Sequence, residues 1–144
     1  MSTTIKEIHP TTTKGDYGVV MVTADLIKRG YDVLTPISHT SPYDLVVYAN
    51  DKFYRLQVKF RNENNHGSVE VTPRRLVKNS YGSSSKYEPN KDFDILAIYV
   101  PTRGVAYIHR EDYPTETIRL RLRESKNNQK KKIRMFDDYM VFNF

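Results

Sequence analysis

Asp44, Gln57 and Lys59 are three residues whose types and spacing could do phosphate chemistry. Asp44 opens a hydrophobic run over 44–49, and thirteen residues later Gln57-Val58-Lys59 closes a second run that begins at Phe53. The turn Asn50-Asp51-Lys52 between them predicts a hairpin. A strand alternates its side chains, so Phe53, Arg55, Gln57, Lys59 and Arg61 share one face and Tyr54, Leu56, Val58 and Phe60 the other. The second face is apolar or aromatic and fits a core. The first sets an amide among three cations, an odd surface for a strand inside a small domain. A carboxylate, an amide and an ammonium on adjacent strands could hold a divalent metal against a phosphate. Magnesium takes oxygen ligands, commonly one or two carboxylates plus substrate oxygens. Asp44 suits a first ligand, and the carbonyl of Gln57 is a weaker, neutral one. Lys59 could orient a water or stabilise charge developing on the phosphate. Taken singly, Asp44 fits a strand start equally well, and Gln57 and Lys59 fit a solvent-facing surface.

These residues need elements to position them. Thr11 to Thr13 offer N-caps for a helix over 15–29, in which Val19, Val22, Leu26 and Ile27 follow helical spacing and Gly30 is the residue after the end. A short strand over 32–36 and a loop over 38–42 precede the hairpin. A polar turn over 62–67 and a strand over 68–72 follow it. Pro73 fits the first turn of a short helix to Asn79 that carries Arg74, Arg75 and Lys78. The Ser- and Tyr-rich stretch 80–90 reads as a flexible loop. The run 93–100 is the most hydrophobic and is expected at the sheet centre. Returning strands are expected over 105–109 and 117–122, and a last helical turn or strand over 133–139. The apolar end, Met140-Val141-Phe142-Asn143-Phe144, should pack on the core or meet another subunit. This order predicts an α+β fold in one domain over 1–144, a mixed sheet flanked by helices with additional C-terminal strands.

The 144 residues carry 23 Lys and Arg against 17 Asp and Glu, a net charge of +6. The excess is concentrated. Between Arg119 and Arg134 there are eight cations and one acid, Glu124. A basic block on a near-neutral body suggests a polyanion as partner. Such a run also fits a solvated tail, although Ile118, Leu120 and Leu122 alternate with the arginines as in an ordered strand. There is no cysteine, so disulfides and thiolate chemistry are excluded. The four histidines show no ligand spacing, which argues against zinc. The first ten residues lack the apolar stretch of a signal peptide, and no segment nears the ~20 apolar residues of a membrane span. A cytoplasmic protein without membrane contact is expected.

A resemblance adds to this reading. Lys14-Gly15-Asp16-Tyr17-Gly18, the segment from Ala24 to Val33, Pro36, Pro42-Tyr43-Asp44-Leu45 and Tyr54-Arg55-Leu56-Gln57-Val58-Lys59 together resemble the PD-(D/E)XK nuclease superfamily. More narrowly they look like its group I intron-associated homing endonucleases. Leu120-Arg121-Leu122-Arg123, the run from Asn127 to Arg134 and Asp138-Tyr139 are similar to the C-terminal part of the same family, so the likeness covers nearly the whole chain. The resemblance implies a restriction-endonuclease-like core. It makes Asp44 a metal ligand, Gln57 the counterpart of the usual Asp or Glu, and Lys59 catalytic. It implies magnesium as cofactor, with manganese substituting and calcium binding without cleavage. The family carries a Glu on the first helix just after Lys-Gly-x-x-Gly, where this chain has Val19. Val19 binds neither a cation nor a water. Asp16, one helical turn earlier, could substitute in part.

The expected partner is double-stranded DNA. Arg61, Asn64, Asn65, Arg74, Arg75 and Lys78 would flank a groove, and Lys130, Lys131 and Lys132 would add phosphate contacts. Asparagines suit adenine edges and arginines guanine, whereas most cations touch only phosphate. Tyr81 and Tyr87 are further candidates. One chain offers one site and a double-strand break needs two, so a homodimer or homotetramer is expected. The leading reading is a magnesium-dependent, site-specific endonuclease of homing type. The alternatives are a structure-selective nuclease of Holliday junction resolvase type, an inert DNA-binding protein on the same scaffold, for which Val19 speaks, and an RNA-binding protein.

Overall fold

A computed structural model describes residues 11–72, 75–79, 82–86, 92–112, 117–124 and 133–142. Helix α1 spans Thr11–Lys28. Val22 and Leu26, one turn apart, are fully buried, and Tyr17, Val19 and Met21 pack around the same stripe. Ile27 lies off that stripe and is 59% exposed, contrary to its expected place on the apolar face. The threonines join the helix instead of capping it. The C-terminal end is as expected. Gly30 takes φ +89°, its N–H donates to the Ile27 carbonyl at 2.9 Å, and Tyr31 N–H donates to the Leu26 carbonyl at 3.1 Å. This is the Schellman arrangement, with Tyr31 and Leu26 in the accompanying apolar contact.

The strands are β1 (Asp32–Leu34), β2 (Leu45–Ala49), β3 (Lys52–Phe60), β4 (Ser68–Val71), β5 (Arg75–Asn79), β6 (Gly82–Lys86), β7 (Ile95–Val100), β8 (Gly104–His109) and β9 (Ile118–Arg121). Five of them form one sheet in the order β1-β2-β3-β7-β8. The β3–β7 pair is parallel and the others antiparallel, so the sheet is mixed as expected. Asn50 and Asp51 have φ of 51° and 61° and join Ala49 to its partner Lys52. Two consecutive positive φ angles are the signature of a type I′ turn, whose twist suits a tight hairpin. Every residue of β7 is buried, so it is an interior strand as its hydrophobicity suggests, but the centre of the sheet is β3, with β7 between it and β8.

The two faces of the sheet bury separate cores. Ile95, Ala97 and Tyr99 of β7 join Leu56 and Val58 of β3 against Val22 and Leu26 of α1. Leu96, Ile98 and Val100 face the other way, against Val69 and Val71 of β4, Ile118 and Leu120 of β9, and Phe136. The β4–β9 pair is therefore a cover for the face that α1 leaves open. Ile118, Leu120 and Leu122 are buried, so this part of the basic block is ordered sheet.

Two expectations fail. The stretch around 75–79 is a strand, not a helix, and Gly82–Lys86 inside the expected loop is its antiparallel partner. A seven-residue helix is marginal on its own, and a neighbouring run able to pair offers its backbone a ladder instead. The stretch after Ile133 settles as a 3-10 turn over Phe136–Tyr139. At the apolar end, Phe142 is buried against Tyr31, Tyr107 and His109, while Val141 is 65% exposed. Phe144 lies outside the described residues.

Candidate active site

The site is built on β3. Its apolar side is pinned by Leu56 and Val58 in the helix-side core. Directly above, α1 packs on β3 at Gly18 with room for no more than a Cβ in ordinary contact. A Cβ there would sit 3.4 Å from the Cβ of Phe60 and 3.6 Å from Cγ1 of Val58. With Leu56 and Val58 turned toward α1, alternation sends Gln57 and Lys59 to the opposite face, beside Leu96 and Ile98 of β7. Both are half-buried.

Asp44 stands one residue before β2. Its N–H donates to the Leu56 carbonyl at 2.8 Å, and its Oδ2 accepts the Val58 N–H at 2.8 Å. The carboxylate thus satisfies a strand N–H at the point where β2 has ended. Burial raises the Asp44 pKa above its ordinary 3.8, and the Val58 N–H and the Lys59 charge oppose that rise. Burial lowers the Lys59 pKa below 10.5; Arg61 adds to this and Asp44 works against it. Each charge acts on the other, so carboxylate and ammonium share one desolvated region with Gln57 between them in sequence.

A raised carboxylate pKa has a definite sign for stability. The contribution of Asp44 is fully present below 3.8 and is lost as pH rises through its raised value. Asp44→Asn should therefore unfold at a higher temperature than the parent at pH 7. The gap should close as the pH falls below about 4, and thermal unfolding at both pH values measures it.

A further pair supports the strand. Asp94 N–H donates to the Arg55 carbonyl at 2.9 Å, and Asp94 Oδ2 accepts the Arg55 N–H at 2.8 Å. The side chain thus continues the β3–β7 ladder past its end, two residues from Gln57. The Arg55 guanidinium closes on the same carboxylate at 3.2 Å. Burial works to raise the Asp94 pKa, and the hydrogen bonds and charge of Arg55 outweigh it and hold it low. Asp94 was not among the candidates read from sequence. The available signal was an acid placed just before an apolar run, as with Asp44.

The other candidates fall as follows. Val19 is half-buried against the helix-side core. Asp16 is exposed. Arg61 donates from Nη1 to the Phe60 carbonyl at 2.8 Å and from Nε to the Glu70 carbonyl at 3.2 Å, tying β3 to β4. The Asn64 amide is engaged inside its own loop, while Asn65 is exposed. Arg75 and Lys78 sit on β5, not on a helix. Arg74, Tyr81, Tyr87, Lys130, Lys131 and Lys132 lie outside the described residues.

The sequence profile of the PD-(D/E)XK endonucleases matches residues 9–142. This chain belongs to the PD-(D/E)XK endonuclease family. It is by family a DNA endonuclease, and its fold implies DNA as substrate. The structure of a bacterial homing endonuclease, I-Ssp6803I, is similar with a TM-score of 0.68 and 26% identity, over 85% of this chain and 84% of that one. Archaeoglobus fulgidus Hjc, a Holliday junction resolvase, is similar with a TM-score of 0.48 and 12% identity, over 75% of this chain and 84% of that one. The second likeness is too distant to inform the reaction. No curated protein sequence matches the chain.

PD-(D/E)XK endonucleases generally use divalent metal ions. Among the described residues no three His, Cys, Asp or Glu gather as a ligand group. Asp44, held by the Val58 N–H, and Gln57, the residue before Val58, are the oxygen-bearing side chains that would hold such an ion. Both are hard oxygen ligands, and a small protein contribution completed by substrate oxygens suits a magnesium-sized ion. Such an ion supplies charge neutralisation and an activated water. The Val58 N–H holds Asp44, and burial lowers the pKa of Lys59, the next residue in sequence.

Proposed function

We propose that this endonuclease is a magnesium-dependent, site-specific double-strand DNA endonuclease of homing type. The observation that carries the reading is the Asp44 carboxylate fixed on the Val58 N–H, the strand position between Gln57 and Lys59, in a chain of the PD-(D/E)XK family. The likeness to a homing endonuclease supports the finer assignment. In this reading Asp44 and Gln57 ligate magnesium and Lys59 stabilises charge on the cleaved phosphate. Manganese replaces magnesium, and calcium supports binding alone. Two copies act together, as a homodimer or homotetramer, because each contributes one site.

Val19 favours a second reading, DNA binding without cleavage, since the first helix brings no carboxylate at position 19. One experiment separates the two. The protein is incubated with a randomised duplex pool in magnesium and in calcium, and bound and cut products are sequenced. Homing activity gives one long selected site in calcium and breaks within it in magnesium. Selection in calcium with intact strands in magnesium establishes the second reading. Preferential cutting of four-way junctions over duplex would overturn the homing assignment.

A further inference from the structure

The outer face of the β4–β9 pair holds a cavity of about 280 Å³ lined by His66, Ser68, Arg119 and Arg121. Its construction follows from register. Ser68 lies opposite Arg121, and Glu70 opposite Arg119. Val69, Val71, Ile118 and Leu120 point into the core, so these four residues take the outward face. Ser68 forms the floor, only 3% exposed. The Asn64 amide fixes it, donating from Nδ2 to Ser68 Oγ at 3.0 Å and accepting the N–H of Ser68 at 3.1 Å on Oδ1. The same Oδ1 accepts the His66 N–H at 2.9 Å, which sets where His66 stands.

The charges in this cavity are unbalanced. Arg119 is held across the strands by Glu70, with Nε 2.7 Å and Nη2 2.6 Å from the same carboxylate oxygen. Glu70 is not part of the lining. Arg121 is half-buried and forms no ion pair with another described residue. Among the described residues of the lining there are two guanidiniums, an imidazole and a hydroxyl, and no acid. Arg119 is exposed and already paired with Glu70, so among the described residues Arg121 is the lining cation best placed to meet an anion. A guanidinium meets a phosphate through two parallel N–H···O bonds.

The cavity is also linked to the candidate active site. Arg61 follows Lys59 on the same face of β3 and acts electrostatically on it. Arg61 in turn donates to the carbonyl of Glu70, the residue that grips Arg119. Arg61 thus links the strand that carries Lys59 to the strand pair that carries Arg119 and Arg121.

We infer that this cavity seats a backbone phosphate of the duplex away from the cleaved bond, with Arg121 as its main ligand and Arg119 as the second. This rests on the endonuclease reading above. A contact to phosphate sets position and affinity rather than sequence.

The test is duplex affinity in calcium, followed as chloride rises from about 50 to about 200 mM. Arg121→Gln should bind the randomised pool about five- to tenfold more weakly at ~100 mM salt, and its salt slope should be shallower by about one. Arg121→Lys keeps the charge and should restore the slope. Lys28→Gln, at the end of α1, removes a charge elsewhere and should leave the slope unchanged. Thermal unfolding confirms that each variant folds. Should Arg121→Gln keep the parental slope, the assignment is overturned while the endonuclease reading stands. If it keeps that slope and inorganic phosphate at constant ionic strength shifts the Arg121 Nε–H resonance, the cavity takes a free anion and the duplex assignment is likewise overturned. A parent that binds no duplex overturns both readings.

Discussion

Lys59→Met is expected to cut DNA in magnesium at least ~10²-fold more slowly than the parent, while duplex binding in calcium persists. Methionine keeps the apolar stem that lies along β3 and removes only the charge. Leu56 and Val58, which seat the strand, are untouched. The variant should also be more stable at neutral pH. Burial lowers the Lys59 pKa, so its contribution to stability is present above 10.5 and lost as pH falls through the lowered value. At neutral pH burial disfavours the charged side chain in the folded parent, and methionine removes that cost. A rise in unfolding temperature together with a loss of cleavage is the signature of a group kept for chemistry at the expense of the fold. Parental cleavage by Lys59→Met would remove Lys59 from the site.

Val19→Glu should act in the opposite sense and raise magnesium-dependent cleavage at least ~10-fold, by adding a carboxylate at the position where the sequence resemblance implies a Glu. The substitution replaces a half-buried apolar contact with a charge, and without metal it should cost about 1–3 kcal/mol. Magnesium that binds the folded state should recover part of that loss, because a ligand selective for the native form stabilises it. The unfolding temperature of Val19→Glu should therefore rise with magnesium more than the parent's does. Unchanged cleavage, with a parent that already cuts efficiently, would show that position 19 is not the counterpart of the family's helix Glu.

The parts legible in the sequence were those in which pattern and tertiary setting agree. Alternation in β3 separated Leu56 and Val58 from Gln57 and Lys59, and the folded sheet uses both faces as that pattern requires. Asn50 and Asp51 tolerate the positive φ of the hairpin turn, and Gly30 that of the helix end. Where local signals competed with pairing, pairing won. Pro73 argued for a helix start, but the backbone of 75–79 finds a full ladder in Gly82–Lys86. Ile27 fitted the helical spacing as well as Leu26 did, and only the direction from which the sheet approaches decides between them. Asn64 reads from its chemistry as a DNA-contacting candidate, and its amide also holds Ser68 and His66 in place, a loop role that its sequence setting does not reveal. The partnership of Arg55 with Asp94 joins residues 39 apart and depends on the parallel pairing of β3 with β7, which no local spacing reveals.

Asp44 Oδ2 is committed to a strand N–H before any ligand arrives. A carboxylate tethered in this way has little rotational freedom left to surrender, so the entropy lost on capturing an ion or a phosphate-bound water is smaller than for a side chain waving in solvent. The same tether makes the end of β2 respond to whatever occupies the carboxylate. Occupancy at Asp44 should therefore register as slower amide exchange at Val58, a spectroscopic reporter embedded in the sheet itself.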